Sequence, residues 1–264
     1  MKSLKNKTVW ITGASGGIGK EMAIQMANAG AKIILTARSV EKLNAIKDSL
    51  KGDGHLICPM DLSKTEEIPS TVKKVVAKAK TIDVLVNNAG ISQRSLAKDT
   101  QLEVDRKIME LDYFSKAILT KSLLPHMIEN QQGLIVSISS VAGKIGAPMR
   151  SAYCAAKHAL IGFMDVLRAE LHADNIKVMV VTPGSVQTDI SKNALEGDGK
   201  KHNVTDPMIA NGIPVDVCVK KIIRGIHKET PELMIAQRRE RMAVYVRRFY
   251  PALLFKMMTR LQAT

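Results

Sequence analysis

Between an apolar run, Thr8 to Thr12, and an amphipathic stretch that opens at Gly17, the chain places Gly13, Gly16, Gly17 and Gly19. Glycines between a strand and a helix let the backbone turn tightly and let a pyrophosphate approach the N–H groups at the helix N-terminus, where the helix dipole favours negative charge. The spacing sorts among phosphate turns. It is not a P-loop, because Gly19-Lys20 is followed by Glu21 instead of Ser or Thr, and it is not GxGxxG, because the residue three after Gly19 is Met22. Taken alone, such a turn is also compatible with a purely structural role.

The same unit then repeats. Apolar runs at Thr8–Thr12, Lys32–Thr36, His55–Met60, Val84–Asn87, Gly133–Ser139, Lys177–Thr182 and Glu232–Ala236 read as strands. Stretches of helical period lie between them at Gly17–Ala29, Val40–Leu50, Ile68–Lys80, Val104–Asn130 (kinked at Pro125) and Ala152–Ala173. Runs such as Lys32–Thr36 and Val178–Val181 are continuous and rich in β-branched residues, as expected of strands covered by helices on both faces. The alternation implies an α/β fold, a Rossmann-like doubly wound parallel sheet in a single domain, with ligands bound outside the carboxyl ends of the strands. A domain over residues 1–237 is expected, including a polar loop at 191–211 suited to a mobile lid or a poorly ordered segment, followed by a tail over 238–264.

The motifs in order resemble those of the classical short-chain dehydrogenase/reductase family. They are TGASGGIG at Thr12–Gly19, Asn87-Asn88-Ala89-Gly90, Ser140 with Tyr153 and Lys157 four residues apart, and Pro183-Gly184 with Thr188. The resemblance runs from about Lys7 to Ala236 and implies hydride transfer between a nicotinamide cofactor and a carbonyl or alcohol. It also implies cofactor contacts from Gly13, Ser15, Gly16, Gly17, Ile18 and Gly19 in the first turn. Asp61 and Leu62 would contact the adenine, and Asn88, Ala89 and Gly90 would line the cofactor after the fourth strand. Pro183, Gly184, Val186 and Thr188 would close over the nicotinamide. Asn87-Asn88 is equally compatible with capping a strand end.

An acidic residue at the end of the second strand of such folds binds a ribose 2′-OH, whereas an Arg there accommodates a 2′-phosphate. Here that strand ends Thr36-Ala37-Arg38-Ser39, with no carboxylate before Glu41. Arg38 offers a bidentate fork and Ser39 a hydroxyl, so NADP(H) is expected over NAD(H). The other reading of these two is a solvated charge and a helix cap.

Tyr153 and Lys157 share one face of a helix, one turn apart. A neighbouring ammonium favours phenolate and so brings the tyrosine toward proton exchange at neutral pH. Tyr153 is thus the expected general acid, with Ser140 donating to the same oxygen and Lys157, by the resemblance, holding the nicotinamide ribose. Without such context a Tyr-x3-Lys pair is a ring packed on a lysine stem. The interval to Tyr153 favours Ser140 over the adjacent Ser139. Asp112 occupies the position of an Asn common in the family, and its carboxylate should raise the lysine pKa and weaken its effect on Tyr153, leaving an active enzyme with an altered pH profile. A non-catalytic dinucleotide-binding module, and an epimerase or dehydratase on the same fold, are the rival readings.

The net charge of +14 invites a nucleic-acid partner, but aromatics are only 3% and no basic stretch is interleaved with stacking rings, so none is expected. Arg238–Thr264 holds seven Lys/Arg against one acid, Glu240, and so carries +6 of that charge. Among those bases Arg247, Arg248, Lys256 and Arg260 mix with large apolar residues, as in a segment lying in a membrane interface or packing on the core or a sister subunit. No apolar run approaches the ~18 residues of a bilayer span, and the basic start, Met1 to Trp10, has no long apolar region behind it. Cys58, Cys154 and Cys218 form no CxxC pair and read as reduced thiols, with no metal site. The expected placement is cytoplasmic, peripheral to a membrane through the tail. A lipophilic carbonyl or alcohol as substrate completes the expectation, and the resemblance implies a homodimer or homotetramer.

Overall fold

The structure is a computed structural model describing residues 1–259; Arg260 and Gln262 of the tail lie outside the described residues. Seven strands form one parallel sheet: β1 (Thr8–Thr12), β2 (Lys32–Thr36), β3 (Leu56–Ile57), β4 (Val84–Asn87), β5 (Gly133–Ile138), β6 (Ile176–Pro183) and β7 (Glu232–Ile235). Their order is β3-β2-β1-β4-β5-β6-β7. The chain winds outward from β1 in both directions, so the crevice where strand order reverses opens at the carboxyl ends of β1 and β4. The glycine turn and Asn88 stand there.

Alternate strand residues feed two cores. Val9, Ile11, Leu35, Val84, Val86, Val136 and Val181 face the side covered by α1 (Gly17–Asn28), α2 (Val40–Ser49) and α8 (Val215–His227). Trp10, Ile34, Leu85, Ile135, Val178 and Val180 face the side covered by α3 (Ile68–Ala79), α5 (Ser115–Glu129) and α6 (Ser151–Glu170). Burial on both faces is why these strands read as unbroken apolar runs. Trp10 is fully buried and its Nε1 donates to Thr36 Oγ1 at 2.8 Å, satisfying the one polar atom the ring brings inside.

Four segments depart from the sequence reading. The expected strand His55–Met60 shrinks to two residues because β3 is an edge with β2 as its sole neighbour and Pro59 has no N–H to donate. The expected helix Val104–Asn130 is interrupted: α4 (Leu102–Met109) passes through a wide π-turn at Glu110–Phe114 into α5, and Pro125 lies inside α5. The helix α8 was not singled out, although Val215, Val219, Ile222 and Ile226 carry helical spacing. The loop 191–211, expected to be mobile or poorly ordered, is instead tied down and contains the short α7 (Pro207–Ala210). Leu195 N donates to Ser92 O at 2.9 Å, and Asp206 pairs with Arg94 and, at 3.1 Å, with Arg150.

The tail forms α9 (Arg238–Phe249) and α10 (Pro251–Met258) and is not detached from the domain. Leu254 packs on Val141 and Ile145, with Val244, Val246 and Met258 around them. The cysteines are buried and unpaired, and burial pushes all three thiols up, Cys218 to about 11. None of them is expected to react with an aromatic disulfide reagent at neutral pH until the chain unfolds. Rapid labelling of the folded protein would contradict that burial.

Candidate active site

The glycine turn is locked by hydrogen bonds from the next strand of the crevice. Thr12 Oγ1 accepts from Asn88 N at 3.0 Å and Ala89 N at 3.1 Å, while Asn88 Nδ2 donates to Thr12 O at 2.9 Å and to Gly13 O at 3.3 Å. Gly13 sits at φ +64, and a Cβ there would approach Ala89 Cα to 2.8 Å. A Cβ on Gly19 would collide with Gly13 O and come within 2.5 Å of Asn88 Nδ2. The turn is therefore packed too tightly for side chains. No side chain caps α1, and its first turn holds no acid, so its N–H groups and dipole are left for an anion. Gly16 has open space where its Cβ would stand. This geometry fits the diphosphate of a dinucleotide. Ser15 and Ile18 are half-buried in the turn, Ile18 with its side chain against the core.

Arg38 is exposed just beyond β2. Partial burial works against charge on Asp61, but two hydrogen bonds from Ser63 and the charges of Arg38 and Lys64 win, holding its carboxyl below the usual range. Ser39 Oγ accepts from Lys42 N at 3.2 Å, capping α2, and donates to Glu41 at 2.8 Å. Leu62 turns its side chain into the core.

At the other end of the crevice, Pro183 ends β6 and is followed by Gly184 and Ser185. Val186 is buried, and Thr188 stands over the glycine turn, its methyl 3.2 Å from where a Cβ on Gly17 would be. A cavity of about 720 Å³ opens beside this point, between Gly17 and Lys20 on one side and Thr188, Lys192 and Ile209 on the other. It adjoins the phosphate turn and does not reach Tyr153.

Tyr153 lies in the first turn of α6, half-buried beside Val104, Ile108, Ala156 and Leu195. One turn on, Lys157 is buried, its Nζ 5.3 Å from the Tyr153 ring centroid and donating to Ile138 O at 3.3 Å. Its carboxylate partner is Asp112 at 2.9 Å, fully buried in the π-turn. The other Asp112 oxygen accepts from Ile91 N at 2.8 Å, which ties the Ala89–Gly90 loop to the same cluster. Burial works against charge on Lys157, but Asp112, then Tyr153, outweigh it and raise the lysine above its ordinary value. The lysine thus stays an ammonium through neutral and alkaline pH.

The two serines after β5 separate by their partners. Ser139 is buried and donates to Lys157 O at 3.1 Å. Ser140 is half-buried, and its Oγ accepts from Ala142 N at 3.1 Å, which leaves its own proton free to donate to a ligand oxygen.

Sequence reasoning missed several residues that shape the site. Gln93 is fully buried, and its Oε1 accepts from Ala152 N at 2.9 Å and Tyr153 N at 3.4 Å, so it caps α6 at the tyrosine. Its amide side, held by Thr100 and Ser151, fixes that orientation. Glu240 of α9 accepts from Ser185 N and Ser185 Oγ at 2.7 and 2.8 Å and crowds Gly184, pinning the Pro183–Ser185 turn from the tail. Arg94 and Arg150 share Asp206, and burial, then the charge of Arg150, lowers Arg94 to about 10. Lys116 is buried with no hydrogen-bond partner for its Nζ among the described residues, and burial, then the charge of Lys157, lowers its pKa. Polar residues such as these carry no period, and only Glu240, as the one acid in a basic tail, offered a signal.

A sequence profile of the family described as short chain dehydrogenase matches residues 7–199. "Dehydrogenase/reductase SDR family member 7B" of Mus musculus is 39% identical over 261 residues, covering 97% of this chain and 81% of that protein. Two solved structures share the fold. A short-chain dehydrogenase from Burkholderia cenocepacia, in complex with NADP, superposes with a TM-score of 0.80 at 22% identity, covering 97% of this chain and 98% of that one. A short-chain dehydrogenase/reductase from Burkholderia phymatum, in complex with NAD, gives 0.82 at 19% identity, with 96% of each chain covered.

Proposed function

Since the chain belongs to the short-chain dehydrogenase family of oxidoreductases, we propose that it is an NADP(H)-dependent carbonyl reductase or alcohol dehydrogenase acting on an apolar substrate. The observation that carries this reading is the half-buried Tyr153 ring one helical turn from a buried ammonium, with Ser140 following β5 and its hydroxyl proton free to donate. When bound, the dinucleotide supplies or accepts the hydride at the carbonyl carbon.

The residues do the rest. The glycine turn and the α1 N-terminus hold the diphosphate, while Asn88, Ala89 and Gly90 line the crevice. Thr188 and the Pro183–Ser185 turn close the far side. In the reductive direction Tyr153 gives its hydroxyl proton to the substrate oxygen, and Ser140 donates to that oxygen as negative charge develops there. The Lys157 ammonium faces the phenolate that remains and stabilises it until solvent returns a proton. Asp112 offsets part of that charge, which sets this site apart from one with an uncharged residue in its place. That ion pair is also what favours the rival reading of a non-catalytic dinucleotide-binding module, and a panel of ketones followed by NADPH absorbance separates the two. Consumption of NADPH by at least one lipophilic ketone supports the enzyme; none across the panel with bound NADPH supports the module.

NADP(H) rests on Arg38, which is exposed where the second strand ends and has no carboxylate before it in the turn. Replacing Arg38 by Ala removes the charge-assisted bonds to a 2′-phosphate and is expected to weaken NADPH binding by about tenfold to a hundredfold. NADH affinity should stay within about threefold, since its 2′-OH makes no such bond. Equal affinity of the unaltered protein for NADH and NADPH would remove the argument.

An apolar substrate is supported by the apolar cluster against which Tyr153 packs: it contains Val104, Ile108 and Leu195, with Ile91 and Met109 packed on it as well. Leu195 comes from the 191–211 loop, which thereby forms one wall. The tail supports contact with an anionic lipid surface. Phe249, Tyr250, Leu253, Phe255 and Met257 are each more than half exposed, with Arg247, Arg248 and Lys256 among them. Vesicles containing anionic lipid are expected to sediment the protein, and the pair Arg247→Glu and Phe249→Ser to reduce that by about tenfold or more. Unchanged sedimentation would sink the membrane contact. No helix among the described residues is long and apolar enough to cross a membrane. Buried unpaired thiols support a cytoplasmic placement, and the exposed Leu102, Phe114 and Val166 support self-association as a dimer or tetramer.

A further inference from the structure

The tail holds to the domain at few points. Among the described residues of α9 and α10 only Leu254 is buried. The side-chain hydrogen bonds that reach from the tail to the domain come from its first turn. Gln237 Nε2 donates to Asn211 O at 2.8 Å, and Glu240 Oε1 accepts from Ser185 N at 2.7 Å and from Ser185 Oγ at 2.8 Å. The other Glu240 oxygen accepts from Gln237 N at 2.8 Å and closes the start of α9.

A glutamate in the first turn of a helix needs one oxygen for such a cap, and the helix dipole favours its charge there without any further partner. The second oxygen is spent on a different element. It meets Ser185 just beyond the carboxyl end of β6, the end of the sheet at which the glycine turn and Ser140 also stand. The approach is close: a Cβ on Gly184 would collide with Glu240 Oε2 and Cδ, so the carboxylate lies where any other residue would carry its side chain.

The two points gripped by the tail are themselves joined. Ile213 N donates to Ser185 O at 2.8 Å and Gln187 N to Ile213 O at 3.0 Å, while Gly184 N donates at 2.9 Å to Ile235 O of β7, the strand that leads into α9. Hydrogen bonds thus run in a ring through β7, α9, Ser185 and the end of the 191–211 loop. Inside it Ser185 is 8% exposed, with both its N–H and its hydroxyl proton committed to Glu240. Without that carboxylate the hydroxyl can rotate to another acceptor, but the N–H finds one only if the turn moves.

The geometry points to Glu240 as a positioning residue: its carboxylate latches the tail onto Ser185 and holds the Pro183–Ser185 turn in the shape that receives the nicotinamide half of the dinucleotide. This rests on the proposed oxidoreductase reading, in which that turn closes the far side of the crevice. The adenosine half falls to the glycine turn, the α1 N-terminus and Arg38, so loss of the latch acts on one half of the ligand and spares the other.

The test titrates NADPH and 2′-phospho-ADP-ribose, which lacks the nicotinamide, into the full chain and the variants Glu240→Asp and Glu240→Gln. NADH and ADP-ribose serve as a second pair. Asp keeps a charge suited to the helix N-terminus but is one methylene short of Ser185; Gln keeps the reach and an acceptor oxygen but gives up the charge. Glu240→Asp is expected to weaken the nicotinamide-bearing ligand about tenfold and leave its fragment within about twofold, and Glu240→Gln to stay within about threefold for both. The Ser185 amide should exchange with solvent about tenfold faster in Glu240→Asp and stay protected in Glu240→Gln. A parallel loss of both ligands, an equal fall in the two variants, or unaltered binding in Glu240→Asp overturns the proposal. If the unaltered protein binds neither dinucleotide, the functional reading fails and the nicotinamide claim with it, whereas Ser185 exchange still reports on the latch.

Discussion

Tyr153→Phe is expected to lower kcat for carbonyl reduction by about a thousandfold, within the range of ~10²–10⁴ that general acid–base groups contribute. The change removes one oxygen and keeps the ring that packs beside Val104, Ile108, Ala156 and Leu195, so fold and melting temperature should be nearly unaltered. NADPH affinity should change by less than about tenfold, because on the proposed reading the dinucleotide's phosphates are held by the glycine turn, the α1 N-terminus and Arg38 and not by the Tyr153 hydroxyl. The signature is thus a large kcat loss with binding retained, measured by NADPH absorbance and by direct titration. A variant as fast as the unaltered enzyme would place proton donation elsewhere.

Gly19→Ala is expected to abolish measurable dinucleotide binding and to destabilise the protein. The added methyl would meet Gly13 O and Asn88 Nδ2, the two groups whose hydrogen bond ties the glycine turn to the loop after β4. Neither can withdraw alone, because Gly13 is itself packed on Ala89 and Asn88 Nδ2 also serves Thr12 O. Opening the turn should weaken NADPH binding by at least about a hundredfold and cost ~2–3 kcal/mol, which for a domain of this size is a melting shift of roughly 5–10 °C. Gly16→Ala is the control. Its Cβ meets nothing within 4 Å and its φ of −173 is ordinary extended backbone, so the fold should hold its melting temperature even where the dinucleotide is crowded. Equal stability loss in both variants would show that the clash at Gly19 is not what matters.

Much of this molecule was legible before its structure. The strands β1, β2 and β4 begin and end where their apolar runs do, because residues buried on both faces leave a continuous signal. The edge strand β3 was overread, since an apolar run says what is buried and not how many neighbours it pairs with. The long central helix was read as one element because the π-turn at Glu110–Phe114 keeps helical composition while changing the bond pattern. Asp112 stands out by its position in the motif order, and only the structure shows that its ion-pair partner is Lys157, brought in from α6.

The sequence by itself determined the parallel sheet, the glycine turn before α1 and the Tyr153–Lys157 pair, all of which are signals confined to one strand, one turn or one helical face, where spacing alone dictates which side chains meet. Only the tertiary structure decided that Gln93 caps α6, that Glu240 reaches back from the tail to Ser185, that Asp206 gathers Arg94 and Arg150, and that Asp112 pairs with Lys157. Those are contacts between polar groups from different elements, and the choice of partner follows from burial, where each such group must find another or forfeit its solvation.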